Sequence, residues 1–305
     1  MKTIKIGSTN VNASAVGLGC MRISQMGEEQ LAHYLDHCVS LGINFFDHAD
    51  IYGDGECERI FGRALKKTSI KRSEIIIQSK CGIVPGKMYD MSREHIISSV
   101  DNILSRLQTE YLDFLLLHRP DALIEPEEVA RAFDELKSSG KVRNFGVSNF
   151  RPMQIELLKR HLEGPLSVCQ MQLSLPHSLM ISQGLEANMT SSGAADRTGD
   201  IIDYCRLNGL TIQAWSPFSG RNGSFIEDNS GYPDLNWVLG ELSGKYGVTK
   251  TTIAAAWILR HPANIQLLSG TTNFGRIADI AKATNIELSR EEWYKLYLSA
   301  GHILP

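Results

Sequence analysis

The chain lacks any stretch of roughly 20 apolar residues, the length a helix needs to cross a bilayer, so no membrane span is expected. It has no CxxC. Its six cysteines (Cys20, Cys38, Cys57, Cys81, Cys169 and Cys205) stand far apart, which argues against a zinc ribbon or a small disulfide framework and fits a reducing cytosol. It lacks a strong excess of charge of either sign. A net charge of −3 supplies no bulk field to hold nucleic acid or an anionic membrane. The N-terminal run MKTIKIGSTNVNASAVGLG lacks the unbroken apolar centre of a secretory leader. What is present is 305 residues with 43% hydrophobic and 21% charged content, enough to build a core. A cytoplasmic globular protein is expected.

Short runs rich in Val, Ile, Leu and Phe recur along the chain: SAVGLGC, NFFDHA, EIIIQSK, LDFLLLHR, VRNFGVS, SVCQMQL, TIQAWSP and IQLLSG. Segments of helical period separate them, among them EEQLAHYLDHCVSLG, ECERIFGRALKK, SREHIISSVDNILSRLQ, PEEVARAFDELKSSGK, RPMQIELLKRHL, DIIDYCRLNG and KTTIAAAWILRHP. Ser92 and the pair Glu125-Pro126 sit where helices begin, and Gly42, Gly140 and Gly209 sit where they end. This alternation predicts parallel strands with helical crossovers, an α/β chain. A (β/α)₈ TIM barrel of roughly 250 residues takes up most of the length as a single domain over residues 1–305. The surplus is an N-terminal hairpin, IKIGSTNVNASAV, two polar loops at Ser182–Gly199 and Ser219–Pro233, and an extra C-terminal helix, REEWYKLYLSAG. A doubly wound sheet is the rival, but GLGCMRIS keeps only the first two glycines of G-x-G-x-x-G.

In such barrels the C-terminal strand ends form the active site. The second predicted strand ends in Asp47-His48-Ala49-Asp50-Ile51-Tyr52, an unusual load of ionisable groups for a buried strand end. The third stops on Lys80 and the fourth on His118, followed by Arg119, Pro120 and Asp121. The fifth stops on Ser148-Asn149, the sixth carries Gln170, and the seventh ends in Trp215-Ser216-Pro217. These residues suit proton transfer. Tyrosine, with an ordinary pKa of about 10, is a weak acid at neutral pH, and a neighbouring cation favours its phenolate. Lys80 can supply that cation, Asp47 can hold Lys80 ionised, and His118 can donate a hydrogen bond to a carbonyl oxygen.

The chain resembles the aldo-keto reductases, in particular the bacterial branch whose second strand reads F-D-H-A-D-I-Y-G. The likeness runs from GLGCMR through HRPD and GVSNF to AWSPF and SGTTNFGR. The family's Asp-Tyr-Lys-His tetrad falls on Asp47, Tyr52, Lys80 and His118. The resemblance implies a small carbonyl substrate reduced with NADPH (NADP+ after the reaction), and NADPH ahead of NADH. It implies that Ser148, Asn149 and Gln170 hold the nicotinamide carboxamide and that Trp215 stacks on the ring. Ser216, Pro217, Phe218 and Ser219 resemble the loop over the pyrophosphate, while Ser269, Gly270, Thr271 and Arg276 resemble the 2′-phosphate site. Gly270 replaces a lysine common there, and Asp279 and Ile280 replace a Glu-Asn pair at the adenine.

Other readings follow from the same residues. Taken singly, Asp47 is an ion-pair partner, Lys80 a solvated strand end, Tyr52 a loop aromatic and His118 a satisfied buried histidine. His48 is read as a supporting residue and Asp50 as ordering the loop before Tyr52. A metal-dependent hydrolase could use Asp47, His48, Asp50 and His118, but such sites want histidines on several strands, and no metal is expected. Some chains with this barrel and cofactor site are regulatory subunits of membrane channels, with slow turnover. Fold alone does not choose between them, and oligomeric state and natural substrate are not written in the sequence.

Overall fold

A computed structural model describes residues 1–304 and shows a closed barrel of eight strands. In chain order the barrel strands are β1 (Val16–Gly19), β2 (Phe45–Asp47), β3 (Ile76–Cys81), β4 (Leu112–Leu117), β5 (Val142–Ser148), β6 (Leu166–Gln172), β7 (Thr211–Trp215) and β8 (Gln266–Ser269). Every neighbouring pair is parallel, and β8 returns to pair with β1. A helix follows each strand: Glu28–Ser40, Glu56–Leu65, Arg93–Leu107, Pro126–Ser138, Pro152–Lys159, Ile201–Asn208, Lys250–Leu259 and Phe274–Lys282. Parallel strands covered in this way are buried on both faces, which is why they read as near-continuous apolar runs.

The predicted helix signals do the work expected of them. Ser92 Oγ accepts from the His95 amide at the start of Arg93–Leu107, and Glu125 and Pro126 open Pro126–Ser138. Gly42, Gly140 and Gly209 all take left-handed φ angles at helix ends. The N-terminal hairpin, Thr3–Lys5 against Asn12–Ser14, plugs the base of the barrel. Its Ile4, Ile6, Ala13 and Ala15 pack on Phe45, Ile76, Phe114, Leu116, Val168 and Leu268 inside the strands. At the hairpin bend Gly7 has φ +53, and a Cβ there would lie 2.4 Å from the Ser167 carbonyl oxygen. Only glycine fits both the angle and the approach.

Four features depart from the sequence reading. The predicted polar loop Ser182–Gly199 begins inside a helix, Leu179–Leu185, and holds a 3₁₀ turn, Ser192–Ala194. The predicted loop Ser219–Pro233 contains a two-rung hairpin, Ser219–Gly220 with Gly223–Ser224. Two helices missing from the predicted set are present, Pro233–Tyr246 and Phe274–Lys282. Gly240 and Gly244 weaken the helical signal of the first, and the second begins inside the SGTTNFGR motif. The extra C-terminal helix is Arg290–Ser299, where Trp293 stacks on Trp257 at 4.9 Å between centroids. Each of these two indoles donates to the other residue's backbone carbonyl. Among the described residues no helix is long and apolar enough to cross a membrane.

Candidate active site

Strand β2 is short, with Phe45 and Asp47 facing the barrel interior and Phe46 facing the helices. Past its end the chain still follows β3, since the His48 amide donates to Gln78 O and the Asp50 amide to Lys80 O. The Tyr52 amide donates to Ala49 O, and three left-handed residues in succession, Gly53, Asp54 and Gly55, then turn the chain into the helix Glu56–Leu65. Gly55 lies against Arg106, whose Cδ would be 2.7 Å from a Cβ at that position. This tight turn presents Tyr52 to the mouth.

Lys80 is fully enclosed. Its Nζ donates to Asp47 Oδ2 at 2.8 Å, to His48 O at 2.7 Å and to Tyr52 Oη at 3.3 Å. The three protons of the ammonium are thus assigned. Burial opposes the charge on Lys80, but Asp47 and Tyr52 outweigh it and leave its pKa above the ordinary lysine value. The ring of His118 meets Tyr52 edge to face, with centroids 6.1 Å apart. Burial, then Lys80 and Arg119, hold the His118 imidazole neutral down to about pH 3, and its Nδ1 has no protein partner. The structure therefore brings Asp47, Tyr52, Lys80 and His118 together.

One expectation is corrected. The sequence reading had Lys80 lowering the Tyr52 pKa, whereas burial raises it above the usual phenol value; Lys80 pulls downward and Asp47 upward. The enclosed ring loses more solvation than the cation restores. Tyr52 accordingly holds its proton.

The cofactor-like positions lie around the same mouth. Ser148 is buried, and its Oγ donates to Gln170 O at 3.2 Å. Asn149 has φ +62; its Nδ2 donates to Ser148 Oγ and His118 O, and its Oδ1 accepts from Trp215 Nε1 at 3.2 Å. Ser216, just after Trp215, is also left-handed at φ +51. These two strained residues fix the indole between them. Gln170 turns its amide nitrogen inward, to Asp47 Oδ1 at 3.2 Å and Gln213 Oε1 at 3.1 Å. Pro217 is buried, Phe218 and Ser219 are half-buried, and Ser219 O accepts from Ser174 Oγ. At the end of β8 Ser269 is buried, Gly270 and Thr271 are partly open, and Arg276 is exposed with no ion pair among the described residues. Thr271 is held by its carbonyl, which accepts from Tyr34 Oη at 2.7 Å. Ile280 is core, and Asp279 pairs with Lys282.

Behind this mouth, His48 is fully buried against Phe61, with both ring nitrogens unpartnered and a pKa lowered to about 3 by burial and by Lys80. The supporting role expected of it resides in its backbone carbonyl, which accepts from Lys80. Asp50 Oδ1 is likewise unpartnered; burial and Glu58 raise its carboxyl to about 7 against the pull of Arg106. Glu58 itself accepts from Ser79 Oγ and Arg106 Nε, each at 2.7 Å. A cleft of about 660 Å³ lies at the opposite end of the barrel, lined by Ser8, Lys137, Asn144 and Glu163 among others, and contains none of these groups. Among the described residues no cluster of His, Cys, Asp and Glu could hold a metal.

Sequence reasoning missed Gln78, Gln213 and Gln266. The signal was available: Gln78 stands two residues before Lys80 and Gln213 two before Trp215, the period that places both on one face of a strand.

The fold and site define an oxidoreductase barrel. A family model described as "Aldo/keto reductase family" matches residues 15–297, and the chain belongs to that family. It is 34% identical over 305 residues to a 6-dehydroglucose reductase of Agrobacterium fabrum, covering 96% of each chain. The thermostable aldo-keto reductase Tm1743, solved with the inhibitor epalrestat, superposes with a TM-score of 0.80 at 26% identity, over 98% of this chain and 100% of that one. An aldo-keto reductase from Klebsiella pneumoniae, solved in complex with NADPH, gives 0.77 at 25% identity, over 97% and 93%.

Proposed function

We propose that this single barrel domain, acting in the cytoplasm, reduces small aldehydes or ketones to alcohols with NADPH. The carrying observation is the Lys80 ammonium shared between Asp47 Oδ2 and Tyr52 Oη, with His118 edge-on to the same phenol. The residues at the mouth suit the cofactor: Asn149 pins the Trp215 indole, Gln170 Oε1 is left to accept, and Arg276 is free for a phosphate beside Ser269, Gly270 and Thr271. Ser148 completes the carboxamide side, and Ser216, Pro217, Phe218 and Ser219 form the loop for the pyrophosphate. When bound, the reduced nicotinamide supplies the hydride.

The chain's own groups do the rest. Neutral His118 donates a hydrogen bond to the carbonyl oxygen and sets its position. Tyr52, protonated at rest, gives its proton to that oxygen as negative charge develops there. Lys80 stabilises the phenolate left behind, and Asp47 keeps Lys80 charged and aimed. Arg276 and Thr271 favour NADPH over NADH. Such positioned proton transfer contributes about 10²–10⁴-fold.

The test is titration with NADPH, and separately NADH, followed by tryptophan fluorescence. A panel of carbonyls is then added, including 6-dehydroglucose because a relative is named for it. Oxidation of bound NADPH by any of the carbonyls is the expected result. Tight binding with no turnover across the panel would favour a nucleotide-sensing subunit, and no binding would defeat the cofactor assignment.

A further inference from the structure

Barrel interiors of this class are usually filled by branched apolar side chains. Here the layer beneath the site consists of four glutamines, Gln78, Gln170, Gln213 and Gln266, none more than 2% exposed. Gln170, Gln213 and Gln266 are lateral neighbours in register on β6, β7 and β8, and Gln78 stands opposite Asp47 in the pairing of β3 with β2.

Their amide directions are not free. Gln266 Nε2 donates to Ser14 O at 2.8 Å, and a backbone carbonyl can only accept. Gln266 Oε1 must then face its neighbour, and it accepts from Gln213 Nε2 at 2.8 Å. That leaves Gln213 Oε1 to accept from Gln78 Nε2 at 2.8 Å and from Gln170 Nε2 at 3.1 Å. The same two nitrogens reach Asp47 Oδ1, at 2.6 Å from Gln78 and 3.2 Å from Gln170. The polarity set at Ser14 therefore ends on a carboxylate oxygen that meets only donors, while Oδ2 meets Lys80. Gln78 leaves its own Oε1 buried without a partner to keep this arrangement. An amide serving packing alone would have both ends satisfied.

We propose that Gln78 is a positioning residue for the reaction, holding the Asp47 carboxylate turned toward Lys80. This rests on the reductase reading of Asp47, Lys80 and Tyr52. Gln78→Met keeps the volume and removes both hydrogen bonds. Gln266→Met loosens only the far end of this relay and leaves both donors to Asp47 Oδ1, Gln78 and Gln170, in place.

Loss of a hydrogen bond to a charged group corresponds to about tenfold or more in rate. Gln78→Met is expected to lower kcat by about that factor and to leave the NADPH dissociation constant within about twofold. Gln266→Met should stay within about threefold of wild type in kcat. In an Asp47→Asn background Gln78→Met should cost less than about twofold, because the group it serves is already altered. Wild-type kcat in Gln78→Met, an equal loss in Gln266→Met, or the full loss repeated in the Asp47→Asn background would each overturn the proposal. If Gln78→Met does not fold, Gln213→Met, which removes the shared acceptor, is read by the same criteria. A wild-type protein that turns over no carbonyl would defeat the functional reading itself. Turnover with an unaffected Gln78→Met would defeat this inference alone.

Discussion

Lys80 and Asp47 sit on neighbouring strands two residues out of register. The register sets Asp47 opposite Gln78, and Lys80, two residues further on, reaches back to Asp47 Oδ2 over 2.8 Å. Both side chains are almost wholly shielded from solvent, so neither charge is tolerable without the other.

Asp47→Asn should therefore destabilise the fold at pH 7 by about 3 kcal/mol or more. The folded-state pKa of Lys80 lies above its ordinary value. Its contribution to stability is fully present below the unfolded value of about 10.5 and fades as pH rises through the folded value. The deficit of the variant should thus narrow only in strong alkali. Urea denaturation at pH 7 with an unchanged midpoint would contradict the pairing argument.

Tyr52→Phe removes the proposed acid and one acceptor of the Lys80 ammonium while keeping the ring. The expected outcome is a fall in kcat of about 10²–10⁴-fold with NADPH binding within about twofold. Wild-type turnover in steady-state assays would mean that another group protonates the product.

Asp50 gives a pH signature of the same sign as Lys80 but in a far lower pH window. Its carboxyl holds a proton up to about pH 7 in the folded state, whereas an unfolded aspartate releases it near 4. The folded chain binds more protons between those values, so this group lowers stability as pH rises through the window. Glu58, Arg106 and Lys80 are the charges around it. Asn in place of Asp50 removes the dependence, and the variant should gain on wild type by on the order of 2 kcal/mol between pH 5 and pH 8. Melting curves that stay parallel across that range would refute the assignment.

Arg276 has no ion pair among the described residues, so its replacement should act on ligand binding and not on folding. Arg276→Met is expected to raise the NADPH dissociation constant about tenfold, or about 1.4 kcal/mol, with NADH changed less than twofold. Equal loss for both nucleotides would show that Arg276 does not read the phosphate.

Much of this arrangement is legible in the chain itself. Apolar runs two to seven end in or carry polar groups, and parallel topology forces those ends to one face, so the sequence alone places Asp47, Lys80 and His118 together. Caps at Ser92, Pro126 and Gly209 are local chemistry and read directly. Less legible is whatever depends on partners distant in sequence. The rise in the Tyr52 pKa reflects enclosure by the whole mouth, which no neighbouring residue reveals. Gln78 looks like an ordinary polar residue in EIIIQSK until β7 brings Gln213 to it. The helix Pro233–Tyr246 hides behind Gly240 and Gly244 because tertiary packing, not intrinsic propensity, supplies its stability.

The plug at the base of the barrel carries a consequence for biosynthesis. The Ser14 carbonyl waits for an amide 252 residues later in the chain, that of Gln266, and the Gly7 amide waits for the Thr211 hydroxyl. At about 5–20 residues per second, a ribosome needs roughly 13–50 seconds to deliver that last strand after the hairpin has emerged. Until then Ile4, Ile6, Ala13 and Ala15 have no barrel to close, and the nascent chain holds its first apolar hairpin exposed the longest.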